Sequence, residues 1–274
     1  MLLVVPVSHK DIVLAEKQAG FIHQLGGLNP ERHKVAIIGS RSLGGKLAPL
    51  EAAWTKILGE ENVQTSILKS ENEAGWPQSA NHAFEGAVEW VAQQRGKTPW
   101  YFFEVDNTPL TADWLDQIED EYHLVKRPYL GYVHPTRRVS VKTGEFVDHY
   151  GDHMVGTGVY PHDFASRSVL WKFFTDVPFD VYLQWEIVPH CHPTKLIAHN
   201  WKSHQYEWTA DGRIVCSSIT KDSITDPIPD EAVVLHGCKD DSLMACILNP
   251  PDGGESPRGE ATRPLRRKRK KSAQ

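Results

Sequence analysis

The chain has 274 residues, 40% of them hydrophobic and 24% charged, with a formal net charge of −5. That is globular composition with enough apolar residue for one large core or two small ones, so a disordered, collagenous or disulfide-dependent chain is excluded. The charge is divided unequally: residues 1–262 hold 23 Lys/Arg against 35 Asp/Glu, whereas residues 263–274 hold seven Lys/Arg and no acid, which makes an acidic body with a basic tail.

Leu2–Val7 is a continuous apolar run, read as a buried strand. It is far short of the roughly 20 residues that span a bilayer and lacks the flanks of a signal peptide, so no stable membrane insertion is expected. Ile12–Leu25 has helical spacing and stops at Gly26-Gly27. Lys34–Ile38 reads as a second buried strand, Leu47–Leu58 as a helix ended by Gly59, and Val63–Leu68 as a strand. Ser79–Gln94 reads as a helix with Ala80, Ala83, Phe84, Ala87, Val88 and Val91 on one face. Trp100–Val105 is a third apolar strand, followed by a helix over Asp113–Tyr122. Strands and helices alternating at this spacing predict an α/β fold with a mostly parallel sheet through residue 125.

Beyond that point the pieces are shorter. Tyr129–His134, Gly156–Tyr160, Leu196–His199 and Ile214–Ser217 are strand-like, Phe164–Phe174 is helix-like, and Val233–His236 is a short apolar run before Gly237. Residues 250–274 are Pro/Gly/Glu-rich and then polybasic, with too little apolar surface to offset the entropy of ordering, and are expected to be disordered. Cys191, Cys216, Cys238 and Cys246 show no Cys-x-x-Cys spacing; free thiols in a reducing cytoplasm are expected.

The motif richest in chemistry is Trp100-Tyr-Phe-Phe-Glu104-Val105-Asp106-Asn107-Thr108-Pro109-Leu110. An apolar strand runs directly into two acids at i and i+2. In extended backbone these share a face, at the strand end where open α/β sheets bind ligands. Two hard oxygen ligands there can hold a divalent cation that in turn binds phosphate. On spacing alone a solvated acidic loop is an equal reading. Val233-Val-Leu-His236-Gly237-Cys238-Lys239 is the second motif; taken alone, His236 is more readily a hydrogen-bonded core histidine than a ligand.

Together, and in this order, the two motifs resemble those of nucleotide-sugar glycosyltransferases of the GT-A fold, with Glu104 standing where an Asp is usual. The resemblance implies one GT-A-like domain over residues 1–249. Residues 1–125 would bind the nucleotide-sugar and 126–249 the acceptor. Glu104, Asp106 and His236 would hold Mn²⁺ or Mg²⁺, the imidazole favouring Mn²⁺. Gly237 would admit the pyrophosphate, and Lys239 would lie on the donor phosphates. The start of the chain, Val5-Pro6-Val7-Ser8 with Asp11, resembles the first strand and loop of that fold, which hold the nucleoside. Asp11 serves equally as an N-cap for the following helix. Ser40 and Arg41 after the second strand, with the backbone of Val105, complete the expected donor set, and Glu73 to Asn81 lies in position to line the same crevice. The implied donor is a UDP-sugar, UDP-glucose first. Gly156-Thr157-Gly158 could present backbone to the sugar. Asp180 and, less favoured, Glu186 are the candidate catalytic carboxylates, with capping or salt-bridging as the alternative for either.

Other signals are weaker. Ser40 to Leu47 approaches a phosphate loop but lacks its first Gly and its Ser/Thr, and His190-Cys191-His192 has no second ligand pair for zinc. Arg266–Lys271 is six consecutive cations, which attract phosphate backbones without sequence preference. With the glycosyltransferase resemblance, this points to a DNA acceptor bearing a hydroxymethylated base such as 5-hydroxymethylcytosine, as in bacteriophage DNA-modifying enzymes. The alternatives are a polysaccharide or protein acceptor, and an inactive nucleic-acid-binding module.

Overall fold

The computed structural model describes residues 1–69, 75–134, 151–172, 176–199, 204–208, 214–218 and 226–250. The expected basic tail and Glu73 lie outside them. Strand β1 (Leu2–Val7) is paired in parallel with β2 (Lys34–Gly39) on one side and β4 (Trp100–Phe102) on the other, and β2 pairs in parallel with β3 (Val63–Ile67). Helices α1 (Ile12–Leu25), α2 (Ala48–Leu58) and α3 (Gln78–Ala92) connect these strands. After β5 (Asn107–Pro109) and α4 (Trp114–Val125), β6 (Tyr129–His134) and β7 (His153–Tyr160) extend the sheet. β7 runs antiparallel to both β4 and β6, and β8 (Cys191–Pro193) closes the far edge, giving the order β3-β2-β1-β4-β7-β6-β8.

The strands are apolar on both faces because both faces are covered. Their alternation divides the core in two. Leu3, Val5, Val7, Val35, Ile37, Tyr101 and Phe103 face one layer with α1, α2 and α4. Val4, Ala36, Ile38, Trp100 and Phe102 face the other, which is largely aromatic. There Phe84 of α3 stacks on Phe179 with centroids 4.0 Å apart and meets Phe102, Tyr160 and Phe164 edge-on at 5.3–5.6 Å.

Single-turn helices α5 (Phe164–Arg167), α6 (Phe179–Tyr182) and α7 (Gln184–Ile187) follow β7. A second, three-stranded sheet has β13 (Val234–His236) between β5, antiparallel, and β9 (Ile197–His199), parallel. A third holds β10 (His204–Trp208), β11 (Ile214–Ser218) and β12 (Asp226–Pro227), and α8 (Ser242–Leu248) ends the described chain.

The predicted mixed, mostly parallel α/β architecture holds; among its local differences, two concern the helix after β7 and the strand leading to the acidic motif. The helix expected over Phe164–Phe174 is one turn long, because backbone at Ser168 turns extended (φ −121°, ψ 144°); Phe173 and Phe174 lie outside the described residues. The strand expected over Trp100–Val105 ends at Phe102, and Glu104 to Asp106 is a turn. Buried Gln18 of α1 holds that turn by donating to the carbonyls of Val105 (3.2 Å) and Asn107 (2.7 Å). Cys191, Cys238 and Cys246 are free thiols. Among the described residues no helix is long and apolar enough to cross a membrane.

Candidate active site

The order of strands about β1 reverses direction: β2 and β3 lie to one side and β4 to the other. A crevice at such a point, beyond the carboxyl ends of the strands, is where open α/β sheets take ligands. A cleft of about 280 Å³ lies there, and Pro6, Val7, Ser8, Asp11, Ser40, Glu104, Val105, Asp106 and Lys239 all line it. The sequence placed each of these in the donor set. Ala80 and Ala83 of α3 form part of the opposite wall. Three members of the expected set stand elsewhere. Val5 is fully buried in the layer facing α1 and α2. Arg41 is exposed and its Nη1 donates to the Lys69 carbonyl at 3.5 Å. Gly237 supports the acidic turn from behind: with φ at 95° it lets its own amide and that of Cys238 donate to the Asp106 carbonyl, at 3.0 and 2.8 Å. Asp11 caps no amide of α1; Ser8 Oγ donates to its carboxylate instead.

Glu104, Asp106 and His236 come together, and the two acids line this cleft. His236 Nε2 lies 3.2 Å from Glu104 Oε2 and 3.1 Å from Asp106 Oδ1, and the three ligand atoms are mutually within 4.8 Å. Extended geometry is not what unites the acids, since they sit in a turn. Pairing of β13 with β5 does so, setting His236 directly across from Asn107. Lys239 Nζ contacts the other oxygen of Asp106. Asp106 Oδ1 is buried, with His236 Nε2 beside it at 3.1 Å.

The electrostatics are those of two acids sharing two cations. Burial alone would raise the Asp106 carboxyl, yet His236 and Lys239 outweigh it and hold it far below the usual carboxylate range. Burial would lower His236, and the two carboxylates overturn that and push it up to about 10. Burial, then the neighbouring His236 charge, takes His199 down to about 2.

Two of the three side chains of the centre, Glu104 and His236, are held by residues that sequence reasoning did not assign to it. Thr157 Oγ1 of β7 donates to Glu104 Oε2 at 3.2 Å, and Asn107 Nδ2 donates to both Thr157 Oγ1 (2.9 Å) and the Glu104 carbonyl (2.7 Å). His199 Nδ1 lies 2.8 Å from His236 Nδ1. A usable signal existed for His199: Leu196–His199 and Val233–His236 are both short apolar runs ending in His, as paired parallel strands in register would be.

Asp180, at the start of α6, accepts from the amides of Gly156 (3.2 Å) and Val181 (2.9 Å). Gly156 lies against Glu104, whose Oε2 is 3.4 Å from where a Cβ on Gly156 would sit. Burial and the nearby Glu104 charge raise the Asp180 carboxyl, although His153 opposes them. Neither Asp180 nor Glu186 is among the cleft-lining residues, and Glu186 Oε2 is buried without a hydrogen-bond partner among the described residues.

No known protein-family profile matches the chain, and no curated protein matches it by sequence. Solved structures do. An active-site mutant of LgtC superposes with a TM-score of 0.53 at 12% identity, covering 87% of this chain and 87% of that one. LgtC described as a galactosyltransferase, in complex with donor and acceptor sugar analogues, gives 0.47 at 12% identity, over 73% and 76%. TarS of S. aureus with UDP-GlcNAc gives 0.40 at 13% identity, over 66% and 51%. The first of these superpositions gives the chain the fold of LgtC over 87% of its length, consistent with the GT-A-like α/β architecture expected from its motifs.

Proposed function

We propose that this protein is a metal-dependent glycosyltransferase that moves a sugar from a nucleotide-sugar, a UDP-sugar first, to an acceptor hydroxyl. The observation carrying this is the Glu104–Asp106–His236 cluster, two of whose members line the cleft at the strand-order switch point. These residues fit a divalent cation. Their donors are two carboxylates and an imidazole, a mixed N/O set suited to Mn²⁺, and the three ligand atoms lie within 4.8 Å of one another. A cation bound there would supply charge neutralisation for a departing nucleoside diphosphate.

The chain's own groups supply the rest. Ser8 and Asp11, on the loop after β1, offer a hydroxyl and a carboxylate to the nucleoside, and Ser40 lines the same cleft. Lys239, whose side chain is 67% exposed, contacts Asp106 and can swing to a phosphate entering the cleft. Asp180 is the better placed of the two candidate bases. It is fixed by two amides beside Gly156, and its burial favours accepting a proton from an acceptor hydroxyl.

For the acceptor we propose DNA carrying a hydroxymethylated base. The run Arg266–Lys271 supports this, because an acidic body gains its attraction to a polyanion from a cationic arm. Mass spectrometry of nucleosides after incubation with UDP-sugars, Mn²⁺ and plain or 5-hydroxymethylcytosine DNA tests both levels. A hexose-sized gain on modified DNA alone is expected, lost in Asp106→Ala. UDP release with no gain on DNA would transfer the proposal to a polysaccharide or protein acceptor. No UDP release under any donor would overturn the glycosyltransferase reading.

A further inference from the structure

The three-stranded sheet sets three polar residues side by side: His236 of β13 is in register with His199 of β9 on one side and with Asn107 of β5 on the other. The His199 and His236 rings have centroids 4.7 Å apart and meet Nδ1 to Nδ1 at 2.8 Å. The opposite nitrogen of His236, Nε2, faces Glu104 and Asp106.

A neutral imidazole has one N–H and one lone pair. In the Nδ1–Nδ1 contact one ring must donate and the other accept. If His199 donated, the proton of neutral His236 would sit on Nε2, between the two carboxylates, and no lone pair would face them. If His236 donates, its Nε2 lone pair points at the carboxylates. Only the second arrangement makes a three-ligand site. We propose that His199 is a positioning residue: its Nδ1 accepts the Nδ1 proton of His236 and so fixes the tautomer whose Nε2 can ligate a divalent cation. The proposal rests on the reading that Glu104, Asp106 and His236 hold such a cation.

His199 is itself held for this task. Tyr132 of β6 lies over its ring with centroids 5.9 Å apart and planes 26° apart, and the backbone of β9 is pinned by its pairing with β13. On the far side of the centre, the Asn107–Thr157 pair orients Glu104 in the same way. Partners of this kind set ligand orientation and basicity.

The test is the Mn²⁺ dissociation constant of the full-length protein, read from loss of the free-ion electron paramagnetic resonance signal. His199→Leu keeps much of the bulk and removes the acceptor; Mn²⁺ should bind ~10–100-fold more weakly. His199→Asn puts an amide oxygen where Nδ1 was and should restore most of the affinity. His199→Gln reaches instead to the place of Nε2 and should not. If His199→Leu fails to fold, the Asn and Gln pair carries the test. Equal affinities for Asn and Gln, or an unchanged constant in folded His199→Leu, would overturn the proposal. Absence of Mn²⁺ binding by the unsubstituted protein would overturn the metal reading beneath it instead.

Discussion

Metal and proton should compete for His236. In the metal-free protein burial disfavours its charge, but Glu104 and Asp106 raise its pKa from the ordinary 6.5 to about 10. A cation bound by these three residues must displace that proton from Nε2. One proton released per ion makes the apparent Mn²⁺ dissociation constant fall about tenfold for each pH unit gained up to pH ~10. Between pH 7 and the shifted value this amounts to ~4 kcal/mol of binding free energy. Stability follows the opposite course. A raised histidine stabilises the fold fully below its unfolded pKa of about 6.5, and that contribution is lost as pH rises through about 10. The full span is on the order of 5 kcal/mol at most. Metal-free protein should therefore melt at progressively lower temperature from pH 7 to 10, while saturating Mn²⁺ should remove most of the decline. Titrating Mn²⁺ at half-unit steps from pH 6 to 9, with His236→Gln as control, checks this. A dissociation constant independent of pH, or a slope that persists in His236→Gln, would refute the assignment of the proton to His236.

Three further outcomes follow from the packing and charge. Thr157→Val keeps the shape but removes the donor to Glu104 Oε2; Mn²⁺ affinity should drop ~10-fold with the melting temperature little changed, and unaltered affinity would mean Glu104 needs no such partner. Phe84→Ala empties the centre of the aromatic layer, where the ring is fully buried and stacked on Phe179 at 4.0 Å; chemical denaturation should show a loss of about 3–5 kcal/mol. Deleting residues 263–274 removes seven cations; binding to long DNA should weaken and its salt dependence flatten, while UDP-sugar hydrolysis stays the same.

The alternation of apolar runs with helical spacing was sufficient to place β1, α1, β2, α2, β3 and α3 within a residue or two. Each is a local pattern whose period survives any tertiary arrangement. The acidic and His-Gly-Cys-Lys motifs were equally legible, because ligand chemistry limits which residue types can serve. Tertiary structure alone decided how they meet. Glu104 and Asp106 were expected to share a face of an extended strand, but they lie in a turn held by Gln18, a residue 86 positions before Glu104. Pairing of β13 with β5 then brings His236, 130 positions after Asp106, onto them. The supporting residues Thr157, Asn107 and His199 were unassigned for the same reason. Hydrogen bonds across strand register leave no periodic trace in one sequence, and a Thr or His at a strand end reads alike whether it holds a ligand or only fills space. The sequence by itself determined the elements and the chemical types at the centre; strand register, which is a property of the folded sheet, decided which of those residues touch.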